Sequence, residues 1–360
     1  MRIAVCNNYP LDRVQNEVDL GETPDHLLFG VNYLQEAGHE CTIINNEVKI
    51  SKFLKLLKYC IPYVHWGDLS KQSYILKYKE NFDYIFSPCG NMTNALQLLR
   101  SYDKFNVPIG IVQHHPVIPG RLDKLRFPLE KKVWEGVDHI FCLSKYAEKS
   151  MLDKYKSVQS IRSINWGCDT NFYNQAIYPG NGLVIAGRTA RDFQTIINAV
   201  NNTHLKTTIF HLEGDVVFNG SMSSNIKLVS SRNEQPEPGN PKIGWLRHKD
   251  LLPYFQNSRV IGIPLFKQNS LAGLTSLMDS LGAGKPVIMT RNPNIDIDIE
   301  KEGVGHWVEP RDVEGWRRII NWYENNPLES SEMGKRARYL ASKTYSSAMF
   351  SKKLIKCINH

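Results

Sequence analysis

The chain has 360 residues, of which 42% are hydrophobic and 22% are charged, and its formal net charge is +8. This length exceeds what one hydrophobic core comfortably supports, so we expect two domains, and the composition favours a globular enzyme over a disordered or membrane-spanning chain. The seven cysteines are scattered, odd in number and without a Cys-x-x-Cys pair, which predicts reduced thiols in a cytosolic protein and argues against a zinc site.

Part of the positive charge is local. Between residues 52 and 79 the only acid is Asp68, and lysines alternate with aromatic residues, namely Lys52, Lys55, Lys58, Tyr59, Tyr63, Trp66, Lys71, Tyr74, Lys77, Tyr78 and Lys79. One interpretation is a solvated helix face with aromatic side chains in the core. Another is attachment to an anionic membrane surface, and nucleic acid is a third that no recognition motif supports. No apolar run approaches about 20 residues and no leader sequence precedes the first strand, so we expect a cytoplasmic protein, with the inner membrane face as a candidate contact.

Strand and helix signals alternate along the first half of the chain. The predicted strands are Ile3–Cys6, Cys41–Ile44, Tyr84–Ser87, Ile109–Gln113 and His139–Ser144. The predicted helices are His26–Ala37, Asn91–Arg100 and one that begins at Lys145. Strands separated by helices predict a parallel α/β sheet.

A second series of alternating elements begins near Leu183. Its predicted strands are Leu183–Gly187, Thr207–His211, Ile226–Val229, Val260–Pro264 and Pro286–Thr290. Its predicted helices are Asp192–Val200, His248–Phe255 and 273–282, and the chain is mostly helical after Val308. Two successive series joined near residues 170–182 predict two Rossmann-like domains.

The segment 273–288 reads Gly-Leu-Thr-Ser-Leu-Met-Asp-Ser-Leu-Gly-Ala-Gly-Lys-Pro-Val-Ile. Its leucines and methionine fall at helical spacing, Asp279 lies off that apolar stripe, and the glycines around Ala283 end the helix before a buried strand. The segment resembles the nucleotide-sugar-binding segment of retaining GT-B glycosyltransferases, in particular glycosyltransferase family four. In that family an acid at the position of Asp279 accepts hydrogen bonds from both ribose hydroxyls of the donor. The competing interpretation is a helix that only packs, with Asp279 on its surface.

A strand-to-helix turn of sequence Gly-Arg-Thr-Ala-Arg-Asp-Phe occupies positions 187–193. Such a turn directs backbone N–H groups and the helix dipole at one point, which suits phosphate, and two arginines there can hold a diphosphate. The turn resembles the Gly-Arg…Lys element of the family, which neutralises the leaving nucleoside diphosphate. The resemblance implies this role for Arg188, and for Arg191 in the place of the lysine. The competing interpretation is a surface turn with two solvated arginines.

Two further family positions have less distinctive matches. The family carries a histidine after the strand that corresponds to Ile109–Gln113, and either His114 or His115 matches it, with His115 favoured. The family binds the nucleotide base through backbone groups near Trp245 and Leu246. Because main-chain groups read the base there, the sequence hardly distinguishes uracil from guanine.

The stretch from Lys267 to Gly273 departs from the family pattern. The family has an acid eight residues before the position of Asp279, which contacts hydroxyls of the donor sugar, and this chain has Leu271 there. Asn269 or Ser270 can substitute through side-chain or backbone N–H groups. The departure leaves open a protein that binds a nucleotide sugar and transfers it poorly.

Together these features predict an α/β protein of the GT-B fold, with two Rossmann-like domains facing a central cleft and a C-terminal helix crossing back to the first domain. The predicted divisions are an acceptor-binding domain at 1–172, a nucleotide-sugar-binding domain at 173–340 and the returning helix at 341–360, for which Phe350, Leu354 and Ile355 supply the apolar face. The predicted donor-binding residues are Gly187, Arg188, Arg191, Trp245, Leu246, Asn269, Ser270, Gly273, Leu274, Thr275 and Asp279; the predicted catalytic residues are His115, Arg188 and Arg191.

The resemblance implies a retaining glycosyltransferase that uses a nucleotide-diphosphate sugar, with UDP favoured and GDP next. The expected acceptor is a glycan or a lipid-linked glycan of cell-surface polysaccharide or glycolipid synthesis. No cofactor or metal is expected, because departure of the diphosphate is assisted by the arginines. The alternatives are a nucleotide-sugar epimerase on the same fold and a nucleotide-sugar-binding protein with little or no transferase activity.

Overall fold

The computed structural model describes residues 1–45, 48–158, 160–177, 179–201, 203–212, 215–216, 220–231 and 247–359. The helices are α1 Leu11–Asp19, α2 Val31–Glu36, α3 Lys52–Cys60, α4 Leu69–Lys77, α5 Asn94–Ser101, α6 Asp123–Glu135, α7 Lys145–Lys154, α8 Phe193–Val200, α9 His248–Asn257, α10 Leu274–Gly282, α11 Val313–Asn325, α12 Pro327–Lys343 and α13 Ser347–Ile358. The strands are β1 Arg2–Val5, β2 Glu40–Ile43, β3 Tyr84–Ser87, β4 Ile109–Gln113, β5 His139–Cys142, β6 Ile161–Ser163, β7 Leu183–Ile185, β8 Thr207–Leu212, β9 Ile226–Ser231, β10 Val260–Ile263, β11 Val287–Thr290 and β12 Gly305–Val308.

The chain divides into two compact units, each built around one parallel sheet. The first unit comprises residues 1–19, 25–166 and the segment from Ser347 onward, and the second comprises residues 20–24 and 167–346. In the described part of the chain the two sheets have six strands each, in the orders β2-β1-β3-β4-β5-β6 and β12-β11-β10-β7-β8-β9. The α/β class and the two Rossmann-like sheets are confirmed. The assignment of the acceptor and the nucleotide sugar to domains at 1–172 and 173–340 stays a prediction.

The central strands of each sheet are buried on both faces, as strands of parallel sheets are when helices cover them. Strands β3, β10 and β11 are buried along their whole length. The first sheet packs into a cluster that includes Ile85, Ile111 and Ile140, and the second into one that includes Ile209 and Trp316. The continuous apolar runs that predicted these strands therefore reflect two-sided burial.

The last helix, α13, belongs to the first unit. Phe350 and Leu354 are buried, as predicted, whereas Ile355 is half-buried and Ile358 contributes to the buried face instead. Helix α13 packs against α2 and β5. The fold expected from the resemblance has such a returning helix.

The predicted helix His26–Ala37 is wrong in its continuity. A short 3₁₀ helix at Asp25–Leu28 precedes α2, and between them Phe29 and Gly30 adopt φ angles of 51° and 85°. A Cβ atom on Gly30 would lie 2.8 Å from Oγ of Ser351 on α13. The break therefore occurs where the backbone approaches the C-terminal helix, a contact that helical periodicity does not report.

Four helices and two strands were not predicted, namely α1, α3, α4, α6, β6 and β12. Helix α6 contains Pro128, which normally argues against a helix interior. Helix α3 has Leu54 as its buried residue, so its outward face lacks the polar pattern of an ordinary surface helix. None of the described helices is long and apolar enough to cross a bilayer.

Candidate functional site

The second sheet reverses its strand order at one place. The chain runs from β7 to β8 and β9 on one side, then returns to β10 on the other side of β7. The crevice beyond the carboxyl ends of strands at such a switch point is where open α/β sheets bind ligands. The loops that leave β7 and β10 are joined there, because the Phe266 N–H donates to Ala190 O (3.0 Å) and the Asp192 N–H donates to Pro264 O (3.1 Å).

The turn after β7 depends on glycine. Gly187 has a φ of 108°, and a Cβ atom there would lie 2.2 Å from a guanidinium nitrogen of Arg191. Only glycine tolerates both the left-handed backbone and this close approach. The turn then leads into α8, whose first turn is capped by Asp192, because its carboxylate accepts the Thr195 N–H at 3.0 Å.

Arg191 is buried and bonded within this turn. Its guanidinium donates to Ala186 O (3.1 Å), to Thr189 O (3.1 Å) and to Oγ of Ser276 (2.7 Å). Burial lowers the pKa of Arg191 to about 10, so it remains protonated near neutral pH. The side chain therefore fixes the β7 turn to the first turn of α10, and its predicted role as a diphosphate ligand stays a prediction.

Arg188 has different surroundings. Its side chain is 52% exposed, and Nε lies 3.7 Å from a carboxylate oxygen of Asp215. A long, exposed guanidinium beside the switch point can reach a ligand without leaving a buried partner unpaired. The two arginines of the predicted clamp thus differ, one being built into the turn and one standing at its surface.

Helix α10 begins at Leu274, directly after Gly273, within one residue of the predicted start. Gly273 has a φ of 88°, and a Cβ atom there would lie 2.7 Å from Cε of Met289. Leu274, Leu277 and the rest of the predicted apolar stripe are buried, whereas Thr275 is exposed. The bond from Arg191 to Ser276 places the first turn of α10 beside the β7 turn, and N–H groups in the first turn of a helix point out of its N-terminus.

Asp279 is buried rather than superficial, with 6% of its surface exposed. The hydroxyl of Tyr173 donates to Oδ1 of Asp279 at 2.8 Å. Burial raises the pKa of Asp279, while the nearby His248 and the hydrogen bond from Tyr173 lower it. Burial also lowers the pKa of His248, which begins α9. The predicted ribose-binding acid thus sits in a polar cluster with a tyrosine and a histidine.

Two asparagines hydrogen-bond to the backbone of the acid-free stretch between β10 and α10. Asn292 and Asn294, both 2% exposed, follow β11. The side-chain amide of Asn292 donates to the carbonyls of Ser270 and Ala272, at 3.0 Å each, and Asn294 donates to Asn292 Oδ1 at 2.8 Å. Asn294 also donates to the Ser270 carbonyl at 3.2 Å.

These bonds fix the loop that carries two predicted donor-binding residues. Asn269 is exposed on it and Ser270 is half-buried. Leu271, which stands where the family has an acid, is buried. The loop therefore offers backbone groups and Asn269 to the site edge, and its apolar residue packs inward.

The first unit distinguishes the two candidate histidines. Nε2 of His114 lies 2.5 Å from the Pro88 carbonyl oxygen, so this nitrogen donates, and the ring packs on Phe29 with centroids 5.0 Å apart. Burial lowers the pKa of His114 to about 4. His115 is exposed. The surroundings of His114 are those of a packing residue, and the role of His115 stays a prediction.

Two predicted site residues, Trp245 and Leu246, lie outside the described residues. Among the residues that the structure does describe, no cluster of three or more His, Cys, Asp or Glu is placed to hold a metal ion.

Sequence reasoning missed the supporting residues of this site. The Asn-Pro-Asn run after β11 signalled a turn, but nothing local indicated that its amides reach a loop about 22 residues earlier in the chain. Tyr173 and His248 carry no local signal, because their roles arise from proximity to Asp279.

Comparison with known proteins bears on the fold. No protein-family model matches the chain, and no curated protein matches it. A glycosyltransferase structure from Rickettsia africae is similar, with a TM-score of 0.67 and 14% identity over 98% of this chain and 96% of that one. HepE from Anabaena, solved with UDP, has a TM-score of 0.63 and 10% identity over all of both chains. Sucrose-phosphate synthase from Thermosynechococcus elongatus has a TM-score of 0.65 and 13% identity over 100% and 98%.

At such low sequence identities, structural similarity is evidence for the fold alone. It extends over nearly the whole length of this chain and of each solved structure. This chain itself has two parallel six-stranded sheets in two units, and its C-terminal helix belongs to the first unit. The chain has the GT-B fold of these glycosyltransferases.

Proposed function

We propose that this chain is a retaining glycosyltransferase, resembling family four, that takes its sugar from a nucleotide-diphosphate donor. The observation that carries the proposal is the switch point of the second sheet. There a glycine-dependent turn, an exposed arginine and the N-terminus of α10 meet, tied together by the bond from Arg191 to Ser276. Phosphate binds well to such a combination of helix terminus, turn N–H groups and guanidinium.

In this proposal Arg188 neutralises the departing diphosphate and Asp279 accepts the ribose hydroxyls. The cluster with Tyr173 fixes the rotamer of Asp279, so a ligand finds the carboxylate already oriented. The loop held by Asn292 and Asn294 presents Asn269 and backbone groups to the sugar. For His115 the resemblance implies a contact with the donor sugar, and the acceptor attacks from the side that the diphosphate leaves. Such a reaction proceeds through positioning and charge, without a protein nucleophile.

For the donor we propose UDP-sugar first and GDP-sugar next, and for the acceptor a glycan or lipid-linked glycan. HepE, one of the similar structures, was solved in complex with UDP, which favours UDP as the first nucleotide to test. No metal is proposed, since the arginine and the helix terminus supply the positive charge that the leaving group needs.

The first experiment is calorimetric titration of UDP, GDP, ADP and CDP into the wild-type protein and Asp279→Asn. We expect one nucleotide to bind the wild type with micromolar affinity and the variant to bind it at least about tenfold more weakly. The amide oxygen of the variant still accepts from Tyr173, but the ribose hydroxyls lose a charged acceptor. Absence of binding by all four nucleotides would reject the donor site.

Turnover separates the transferase from its alternatives. Arg188→Ala should lower kcat on the order of 100-fold, as loss of an electrostatic group at a leaving anion does, while Arg318→Ala, an exposed arginine of α11, should leave it unchanged. The anomeric configuration of the sugar released by donor hydrolysis, read by proton NMR, tests retention. Formation of an epimeric donor without transfer would favour the epimerase, and nucleotide binding without turnover would favour the binding protein.

A further inference from the structure

Helix α3 of the first unit presents apolar side chains to solvent. Phe53, Leu56 and Tyr59 are 50%, 59% and 85% exposed, whereas Leu54 is fully buried. At the helical repeat of 3.6 residues the three exposed side chains occupy the half of the helix that faces away from Leu54. Tyr63, just beyond the helix, is also exposed. Large apolar side chains in consecutive turns of one outward face are unusual for a water-exposed helix.

Positively charged side chains flank this outward face: Lys52 and Lys55 lie in the half of the helix that faces away from Leu54, and Lys58 lies one turn after Leu54, near the end of the helix. Lys52, Lys55 and Lys58 are exposed, and within the described residues no ion pair joins any of them to a carboxylate. From Val48 to Gly67 the sequence contains no Asp or Glu. We call Phe53, Leu56 and Tyr59, together with these three lysines, the α3 surface.

A second element also exposes apolar side chains beside basic ones. Ile118, Leu122 and Leu125, before and at the start of α6, are exposed, and so are Arg121 and Lys124 beside them. Leu129, one turn after Leu125, packs in the same hydrophobic cluster as Leu54 of α3. Exposed apolar and basic side chains therefore also occur on a second element, which shares a hydrophobic cluster with α3.

We propose that the α3 surface docks on the surface of a bilayer that contains anionic lipid headgroups. Apolar side chains on one face of a helix enter the boundary between headgroups and acyl chains, and flanking lysines remain at the headgroups. Each lysine near an anionic surface strengthens binding, and tyrosine is favoured at the membrane–water boundary. Residues of the candidate nucleotide site take no part, so the proposal does not rest on the proposed function.

The charge of the α3 surface selects this occupant over a second copy of the chain. Two-fold pairing brings the same surface of each copy together, so lysines would face lysines with no carboxylate from Val48 to Gly67 to offset them. An anionic bilayer supplies opposite charge and an apolar layer together.

The experiment measures co-sedimentation of the full chain with vesicles of phosphatidylcholine alone and of phosphatidylcholine with phosphatidylglycerol. We expect binding to the anionic vesicles and little to the neutral ones. The variant Lys52→Gln/Lys55→Gln/Lys58→Gln should bind on the order of 100-fold more weakly, from about fivefold for each lysine. The variant Phe53→Ser/Leu56→Ser/Tyr59→Ser should bind at least about tenfold more weakly.

Matched controls come from helices outside the α3 surface. Leu328→Ser/Tyr339→Ser removes exposed apolar side chains from α12, and Lys343→Gln/Lys352→Gln/Lys356→Gln removes three exposed lysines from α12 and α13. Both should bind vesicles like the wild type. Because all substituted side chains are exposed or nearly so, thermal unfolding should be unchanged, which excludes misfolding as the cause.

Absence of binding to anionic vesicles, or equal binding by both α3 variants and the wild type, would overturn the proposal. Dimerisation in light scattering that the apolar α3 variant abolishes would assign the surface to a second copy and also overturn it. Nucleotide titrations of the α3 variants should match the wild type, so failure of the donor site and failure of the docking surface are distinguishable.

Discussion

At the scale of single residues, Asp279 has two roles, one toward a ligand and one within the fold. Its carboxylate must remain oriented for a ligand, and it must also satisfy the buried hydroxyl of Tyr173. A residue with both tasks cannot be assessed by one substitution, because loss of the acceptor leaves the tyrosine unpaired.

Asp279→Ala should therefore lower the free energy of unfolding by about 1–3 kcal/mol, whereas Asp279→Asn should cost less, since the amide oxygen still accepts from Tyr173. Both variants should weaken nucleotide binding. Tyr173→Phe is the control for orientation, and it should weaken binding less than either change at Asp279. Urea denaturation and calorimetry measure the two effects, and equal stability of all three variants would contradict the observed hydrogen bond.

His114 should make stability depend on pH. Burial lowers its pKa from 6.5 to about 4, so between these values the unfolded chain binds the proton more readily than the folded one. The contribution of neutral His114 to the free energy of unfolding is complete above pH about 6.5. It decreases as the pH falls, and about 2 kcal/mol of it is lost at pH about 5.

His114→Gln removes this titration but keeps an N–H donor for the Pro88 carbonyl. The free energy of unfolding of the wild type should fall by about 2 kcal/mol more than that of the variant between pH about 7 and about 5. Parallel pH profiles for the two proteins would show that His114 does not titrate in this environment.

At the scale of elements, the loop between β10 and α10 depends on a neighbour distant in sequence. Asn292 and Asn294 hold its carbonyls. The double variant Asn292→Ala/Asn294→Ala should increase hydrogen exchange in residues 266–272 and weaken nucleotide-sugar binding by about tenfold, because the loop must then be ordered on binding. Asn325→Ala, on the exposed side of α11, should change neither quantity. Weaker binding with unchanged exchange would mean that the asparagines do not act through the loop.

The break between the 3₁₀ helix and α2 can be tested in the same way. Gly30 and Gly38 have nearly equal φ angles, 85° and 84°, but a Cβ atom on Gly38 meets nothing within 4 Å. Gly38→Ala should cost about 1 kcal/mol for the backbone alone.

Gly30→Ala should cost about 1–2 kcal/mol more, because its Cβ atom would also meet Ser351 and Leu354 of α13. Adding Ser351→Ala should recover part of that excess. Equal destabilisation by the two glycine substitutions, measured by urea denaturation, would show that α13 does not cause the break.

At the scale of the whole molecule, the two units have separate cores around separate sheets. A ligand bound at the switch point of the second sheet should therefore stabilise its own unit first. Saturating UDP should slow hydrogen exchange in residues 186–192 and 264–279, with ADP as the comparison nucleotide. Slowing confined to the first unit would place the nucleotide elsewhere.

The sequence by itself determined the architecture of this protein and the position of its candidate site. Alternating strand and helix signals predicted ten of the twelve described strands, and β3, β10 and β11 among them are apolar runs because they are buried on both faces. Glycines at 187 and 273 marked the turns beside the switch point, because their backbone conformations exclude other residues. These features are local, so a single sequence can report them.

Only the tertiary structure decided what surrounds the site residues. Arg188 and Arg191 look equivalent in the sequence, yet one is exposed and one is bonded to Ser276, because the approach of α10 to the β7 turn buries one side only. Asp279 was expected off the apolar stripe and is buried against Tyr173, more than a hundred positions earlier in the chain. Contacts between distant segments depend on how the elements pack, and periodicity along one element does not carry that information.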